Sequence, residues 1–243
     1  MSHRFFVVSP ILGPSVSLTG AEAHHVTQVM RGKVGDSLVL FDGSGAEFTG
    51  RIARLSRHAV ELEALSRQEV NRELPRKLTL GVALPKGERQ RWLIEKAVEL
   101  GVFRVVPLQT ARGVAQPLEH VLDRLRRTVV EASKQCGRNR LMEIASPQTL
   151  GEFLAAAPHA ALRLLADPDP SAVPVGGLSV PDTCLTILAA VGPEGGFTDQ
   201  ELQAAAGWQR INLGPRVLRI ETAAIAVAAW LSLGTPSASA GPG

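Results

Sequence analysis

A nearly unbroken apolar run, Leu185 to Val191, leads straight into Gly-Pro-Glu-Gly-Gly-Phe-Thr at 192–198. Such a run fits a strand buried on both faces, the habit of parallel sheets. Thr198, with Glu201 three positions on, predicts a helix start closed by a capping box. A glycine-rich loop between a buried strand and a helix N-terminus brings backbone N–H groups to a small polar ligand. A tight turn that binds nothing would have the same glycines, so at this point both readings stand. The dinucleotide fingerprint fails, because its second glycine would fall at Glu194, and no GxxxxGK phosphate loop occurs.

A second stretch, Leu213 to Ala224 (LGPRVLRIETAA), repeats the logic of short strand, Gly-Pro turn and helix. Its helix, Thr222 to Leu233, is apolar nearly all round, which predicts burial. Two such turns on adjacent strands can line one pocket. Together, GPEGGFT and LGPRVLRIETAA resemble the carboxy-terminal signature of the SPOUT class of trefoil-knotted methyltransferases. More narrowly, they resemble the bacterial family that methylates N3 of a uridine in small-subunit (16S) ribosomal RNA. Lys86-Gly87-Glu88-Arg89 with Glu95 to Gly101 is similar to that family's first catalytic-domain helix, and Gln135-Cys136-Gly137-Arg138-Asn139 to the turn after its second. The chain departs from the family at two places: Arg124-Leu125 replaces a common arginine-tryptophan pair, and Ile220 replaces a common threonine.

The resemblance implies a knotted parallel-sheet α/β domain preceded by a small PUA-like β-barrel, and S-adenosylmethionine as the cofactor. It implies that Gly192, Pro193, Glu194, Gly195, Gly196, Leu213, Gly214 and Leu218 wrap the adenosine. Apolar side chains and backbone hydrogen bonds suffice for that task. It further implies a homodimer whose active site is shared, with Arg138 supplied by the second subunit. The uridine N3 must lose a weakly acidic proton before attack, so the expected catalytic set is Arg138, Asn139, Arg219 and Glu221. Arg138 or Arg219 would stabilise the uracil anion. Glu221 would serve as base or else organise the turn before the last helix. Arg138, just past a helix end, would reach a ligand or cap that helix's carbonyls.

The rest of the chain agrees with two domains. Within residues 1–72, strands are expected at Arg4–Val8, Ser37–Phe41, Glu47–Leu55 and Ala59–Leu65, with a helix capped by Thr19 and Glu22 and running to Met30. The Asp42–Gly45 turn predicts a hairpin, and short strands with turn signals suggest a small barrel. Asn71 to Pro75 is a polar linker. Residues 75–234 alternate strand and helix: Leu78–Leu84, Glu88–Leu100, Val102–Pro107, a long helix Pro117–Cys136 closed by Gly137, a helix capped by Thr149 and Glu152, and a strand Ala160–Leu165. Region 167–181 reads as loop, and 235–243 as a disordered tail.

Formal charge is +3, mildly basic, so its placement matters more than its sum. The residues expected at RNA phosphates are His25, Arg31, Lys33, Lys86, Arg112, Arg124 and Arg127. Solvated surface charge is the plain alternative for each. With no tyrosine and 4% aromatic residues, base stacking would rest on a few Phe, Trp or arginine planes. No apolar run is long enough for a membrane span and the apolar stretch of the amino terminus is too short for a signal peptide, pointing to the cytoplasm. Cys136 and Cys184 lack metal-site spacing, and the adjacent His24 and His25 lack partners, so no metal is expected. Two other functions fit the same residues: a SPOUT enzyme acting on transfer RNA, and a non-catalytic ribosome assembly factor. Donor binding separates the last from the enzymes.

Overall fold

The computed structural model describes residues 4–113 and 118–233, apart from the side chain of Ala64. Two compact units emerge, one of Met1–Glu73 with Val130–Leu141, the other of Leu74–Val129 with Met142–Gly243. Pro117 and the tail 235–243 lie outside the described residues.

The first unit is a five-stranded sheet in the order β1-β3-β4-β5-β2, built from β1 (Arg4–Phe6), β2 (Ser15–Thr19), β3 (Ser37–Phe41), β4 (Ala46–Leu55) and β5 (Ala59–Glu69). β1 pairs parallel with β3; the other pairs are antiparallel. Alternation drives Leu38, Leu40, Phe48, Ile52, Val60 and Leu62 into one core. Strand β2 carries the polar Ser15, Ser17 and Thr19 on its outer face and hid from sequence inspection. The expected capping box at its end does not form. Thr19 is extended and makes no side-chain cap bond, while Glu22 accepts a hydrogen bond from Lys134 at 2.9 Å. The helix is also shorter than expected: α1 covers Gly20–His24, and His25–Val29 continues as a π-helix.

The second unit holds an all-parallel sheet ordered β11-β13-β10-β12-β6-β7-β8. Its elements are β6 (Lys77–Val82), α2 (Glu88–Glu99), β7 (Arg104–Gln109), β8 (Glu143–Ile144), β9 (Gln148–Thr149), α4 (Leu150–Ala155), β10 (Leu162–Ala166), β11 (Val173–Pro174), β12 (Thr186–Val191), α5 (Asp199–Ala204), β13 (Gln209–Asn212) and α6 (Ile220–Leu233). Helix α3 (Glu119–Cys136) contributes its residues before Val130 to this unit. The capping boxes at Thr149/Glu152 and Thr198/Glu201 are both present. One sheet face packs Leu188 and Ala190 with Phe153, Phe197 and Trp208. Gly81 lets β6 approach that layer: a Cβ there would stand 2.8 Å from the Phe153 ring. Helix α6 lies against α2, β6 and β12.

Helix α6 is less enclosed than its composition suggests. Ala223, Ala224, Val227, Ala228 and Leu231 are buried, whereas Ile225, Ala226, Ala229 and Trp230 remain half-buried. The turn of a helix allows one face of an apolar segment to pack on the sheet while the other is left open.

Candidate active site

In the parallel sheet, β10 pairs with β12 on one side and β13 on the other, so the loops leaving these three strands emerge at one edge. Small-molecule sites of open α/β sheets lie at that carboxyl edge. There the structure forms a cleft, the concave kind of site that small molecules occupy. Ala166 and Asp167 line it after β10, Val191 to Glu194 and Gly196 after β12, and Leu213, Gly214 and Arg216 to Leu218 after β13. Ile220 and Ala223 close it from α6.

The two glycine-rich stretches therefore meet in space. Gly192, Pro193, Glu194, Gly196, Leu213, Gly214 and Leu218 face the same cleft. Gly195 does not. Its carbonyl accepts a hydrogen bond from Arg112 at 2.7 Å, and a Cβ on it would point at the Arg112 side chain, 3.4 Å from its Cδ. Arg112, one of the residues expected at phosphates, thus braces the loop through Gly195 while its side chain remains exposed. The loop is anchored a second time through Glu201. That carboxylate accepts from Thr198 N–H at 2.8 Å and from Ala111 N–H at 2.9 Å. Burial pushes the Glu201 carboxyl up, but those bonds, the Thr198 hydroxyl and the nearby Arg112 charge outweigh it and hold it below 4.5.

Asp167, also in the lining, was missed in the sequence because the 167–181 segment looks like plain loop. Its carboxylate accepts from Arg210 at 2.8 Å, and Asp169 takes the other side of that guanidinium at 2.8 Å. The Ser171 backbone and hydroxyl together with Arg210 hold the Asp169 carboxyl down at about 2. Only the β10–β13 pairing, invisible in one dimension, brings these acids to Arg210.

The four residues expected to be catalytic separate. Glu221 is 6% exposed at the first turn of α6, where the helix dipole favours a carboxylate. Its Oε1 lies 3.8 Å from Arg89, and its buried Oε2 has no hydrogen-bond partner among the described residues. Arg89 also lies 3.5 Å from Glu194 Oε1, bridging the cleft loop and α6. Arg219 is exposed.

Arg138 and Asn139, expected in a ligand-reaching loop, are turned inward. Arg138 is 3% exposed and grips both oxygens of Glu73, with contacts of 2.6 to 3.1 Å. Asn139, equally buried, donates to the Val70 carbonyl at 3.2 Å and accepts from Arg4. The cap on the preceding helix end comes instead from Arg72, which donates to the Gly137 carbonyl at 2.8 Å. Glu73 thus takes the Nε and Nη2 side of the Arg138 guanidinium, a fork-to-fork match that holds the side chain inward within this unit.

Of the expected phosphate contacts, Lys86, Arg124 and Arg127 are exposed on the second unit, and His25, Arg31 and Lys33 on the first. Arg126 beside them is committed to Glu119 and Asp123, and Lys134 to Glu22 and Glu131. The His25 ring meets Phe5 edge-on at 5.8 Å. Arg31 adopts φ 55°, unusual for a residue with a Cβ.

Comparison with known proteins fixes the class. The sequence profile of an RNA methyltransferase domain matches residues 72–232, and that of an RNA methyltransferase PUA domain matches 18–65. The chain belongs to this RNA methyltransferase family, with a PUA domain ahead of a parallel-sheet methyltransferase domain. Among its relatives is the ribosomal RNA small subunit methyltransferase E of Synechocystis sp., 36% identical over 92% of this chain and 75% of that protein. The Neisseria gonorrhoeae enzyme of the same name, solved bound to S-adenosyl methionine, is 31% identical with a TM-score of 0.87, covering 96% of this chain and 98% of that one. A Legionella pneumophila methyltransferase in complex with its cofactor SAM is 33% identical with a TM-score of 0.86 at the same coverage.

Proposed function

We propose that this chain is an S-adenosylmethionine-dependent methyltransferase that modifies N3 of a uridine in small-subunit ribosomal RNA. The carrying observation is the cleft at the ends of β10, β12 and β13, built from both glycine-rich stretches. Its lining suits the donor. Gly192, Gly196 and Gly214 offer backbone without side chains, Leu213, Leu218, Ile220 and Ala223 offer apolar contact, and Asp167 and Glu194 offer negative charge to a cationic ligand. When bound, the donor supplies a methyl group on a sulfonium, so transfer forms an N–C bond, breaks a C–S bond and leaves a neutral thioether.

The protein's own tasks are then alignment and proton handling. Glu221 accepts the N3 proton in this reading; among the described residues its buried Oε2 has no donor. Residues 1–72 form the RNA-binding domain, using His25, Arg31 and Lys33, and residues 75–234 the catalytic domain, using Lys86, Arg124 and Arg127 on RNA. A trefoil knot in the carboxy-terminal part is supported by the path of the chain. From β12 it crosses beyond β10 to β13, then returns as α6 against β6 and β12. A homodimer is supported by the open apolar face of α6, Ile225, Ala226, Ala229 and Trp230, and by Trp92 of α2, 45% exposed. The cytoplasm, where ribosomal RNA is modified, is the proposed compartment. Among the described residues no helix is long and apolar enough to cross a membrane.

The test is to incubate the protein with methyl-labelled donor and unmodified ribosomal subunits, then map the labelled base. Label on a small-subunit uridine N3 is expected. Label on transfer RNA, or none at all with donor bound, overturns the reading.

A further inference from the structure

The structure assigns Arg89 as the residue that holds the negative charge of the deprotonated uracil; this rests on the function proposed above. Two carboxylates converge on its guanidinium, Glu194 at the cleft loop and Glu221 at the head of α6, at 3.5 and 3.8 Å. Both distances exceed a good hydrogen bond, so Arg89 is attracted by its neighbours without being saturated by them. It stands apart from Arg138, whose contacts to Glu73 run from 2.6 to 3.1 Å. Its side chain is 43% exposed, open to an incoming group.

Glu221 supplies the second observation. A buried carboxylate oxygen without a hydrogen-bond donor is costly, and folded proteins rarely leave one. Among the described residues none donates to Glu221 Oε2, so that oxygen keeps its capacity to accept. The uracil N3–H is a donor it can accept from.

The proton step then balances. The N3–H bond breaks, an O–H bond forms on Glu221, and one unit of negative charge passes from the carboxylate to the uracil O2 and O4. As Glu221 becomes neutral it loosens its hold on Arg89, and the anion that needs a cation has just formed beside it. A single guanidinium serves the carboxylate before the proton moves and the uracil after it. Preorganised donors aimed at developing charge are the largest single contribution at many active sites.

Arg89→Ala and Arg89→Lys test this beside the wild type. Three quantities are read: donor affinity by calorimetry, RNA affinity, and turnover on ribosomal RNA. The alanine variant is expected to lose about 10²-fold in kcat while donor and RNA affinities stay within about threefold, and lysine to restore part of the loss as a point charge. Alanine turnover within threefold of wild type overturns the assignment. So does a parallel fall in donor affinity, which would make Arg89 a mere brace for the loop, or a loss confined to RNA affinity, which would make it a phosphate contact. If the wild type itself transfers no methyl to uridine N3, the proposed function falls and this assignment with it.

Discussion

Arg112 donates to the carbonyl oxygen of Gly195 at 2.7 Å and so holds the glycine-rich loop from the side away from the cleft. The arginine follows β7 and the glycine follows β12, so the bond ties two loops 83 positions apart. Arg112→Ala should weaken donor binding several-fold by loosening the loop and cost about 1 kcal/mol of stability, the size of an exposed charge-assisted bond. Its signature lies in the RNA titration. A phosphate contact removed should lower the salt dependence of binding by about one unit of slope, and here the slope should be unchanged. A lower slope with normal donor affinity would return Arg112 to the RNA interface.

Neighbouring glycines in this loop should respond differently. Gly196 sits at φ +67, where a Cβ costs about 1 kcal/mol or more, so Gly196→Ala should lower both thermal stability and donor affinity. Gly195→Ala places its Cβ at ordinary contact distance from Arg112 and should be near neutral on both. Calorimetry and thermal melts of the pair check the order, and equal effects would mean the loop relaxes freely.

Arg138→Ala leaves Glu73 charged and half of a buried pair behind, which typically costs about 3–5 kcal/mol. Denaturant unfolding should show a loss of that size, while donor binding measured well below the transition persists. A fully stable Arg138→Ala protein without turnover would restore Arg138 to the chemistry.

Glu201 links loop order to acidity. Its folded-state pKa lies below the unfolded value, so its contribution is present above about pH 4.5 and is lost as pH falls through the lowered folded value. Donor affinity should therefore drop in acid in the wild type, as pH falls below 4.5 through that lowered value. Glu201→Gln should be weaker at neutral pH and lack that part of the acid dependence. An unchanged acid limb in the variant would assign the drop to another group.

The strands and capped helices of the second unit were legible because buried parallel strands and capping boxes write themselves locally. The cleft was legible for the same reason, as each Gly-Pro turn follows its strand directly. Other features depend on pairing across the chain. Strand β2 hides behind serines, the Thr19 cap is lost because Glu22 answers Lys134, and Asp167 meets Arg210 only through the β10–β13 register. Arg138 misled for a related reason: a position just past a helix end predicts exposure, and nothing local announces that Glu73 will bury it. Arg89 ends the Lys86-Gly87-Glu88-Arg89 stretch, yet its bridging role requires α2 to lie against α6.

The central claim, that the cleft between these loops holds the methyl donor, is tested most directly by filling it. Ala223 faces the cleft from α6, and Ala223→Leu keeps a strong helix former while adding volume inside the lining. Calorimetric titration with S-adenosylmethionine should give one site per chain in the wild type. The variant, with an unchanged melting temperature, should bind at least tenfold more weakly. Wild-type affinity in a folded Ala223→Leu protein, or no binding by the wild type, would contradict the claim.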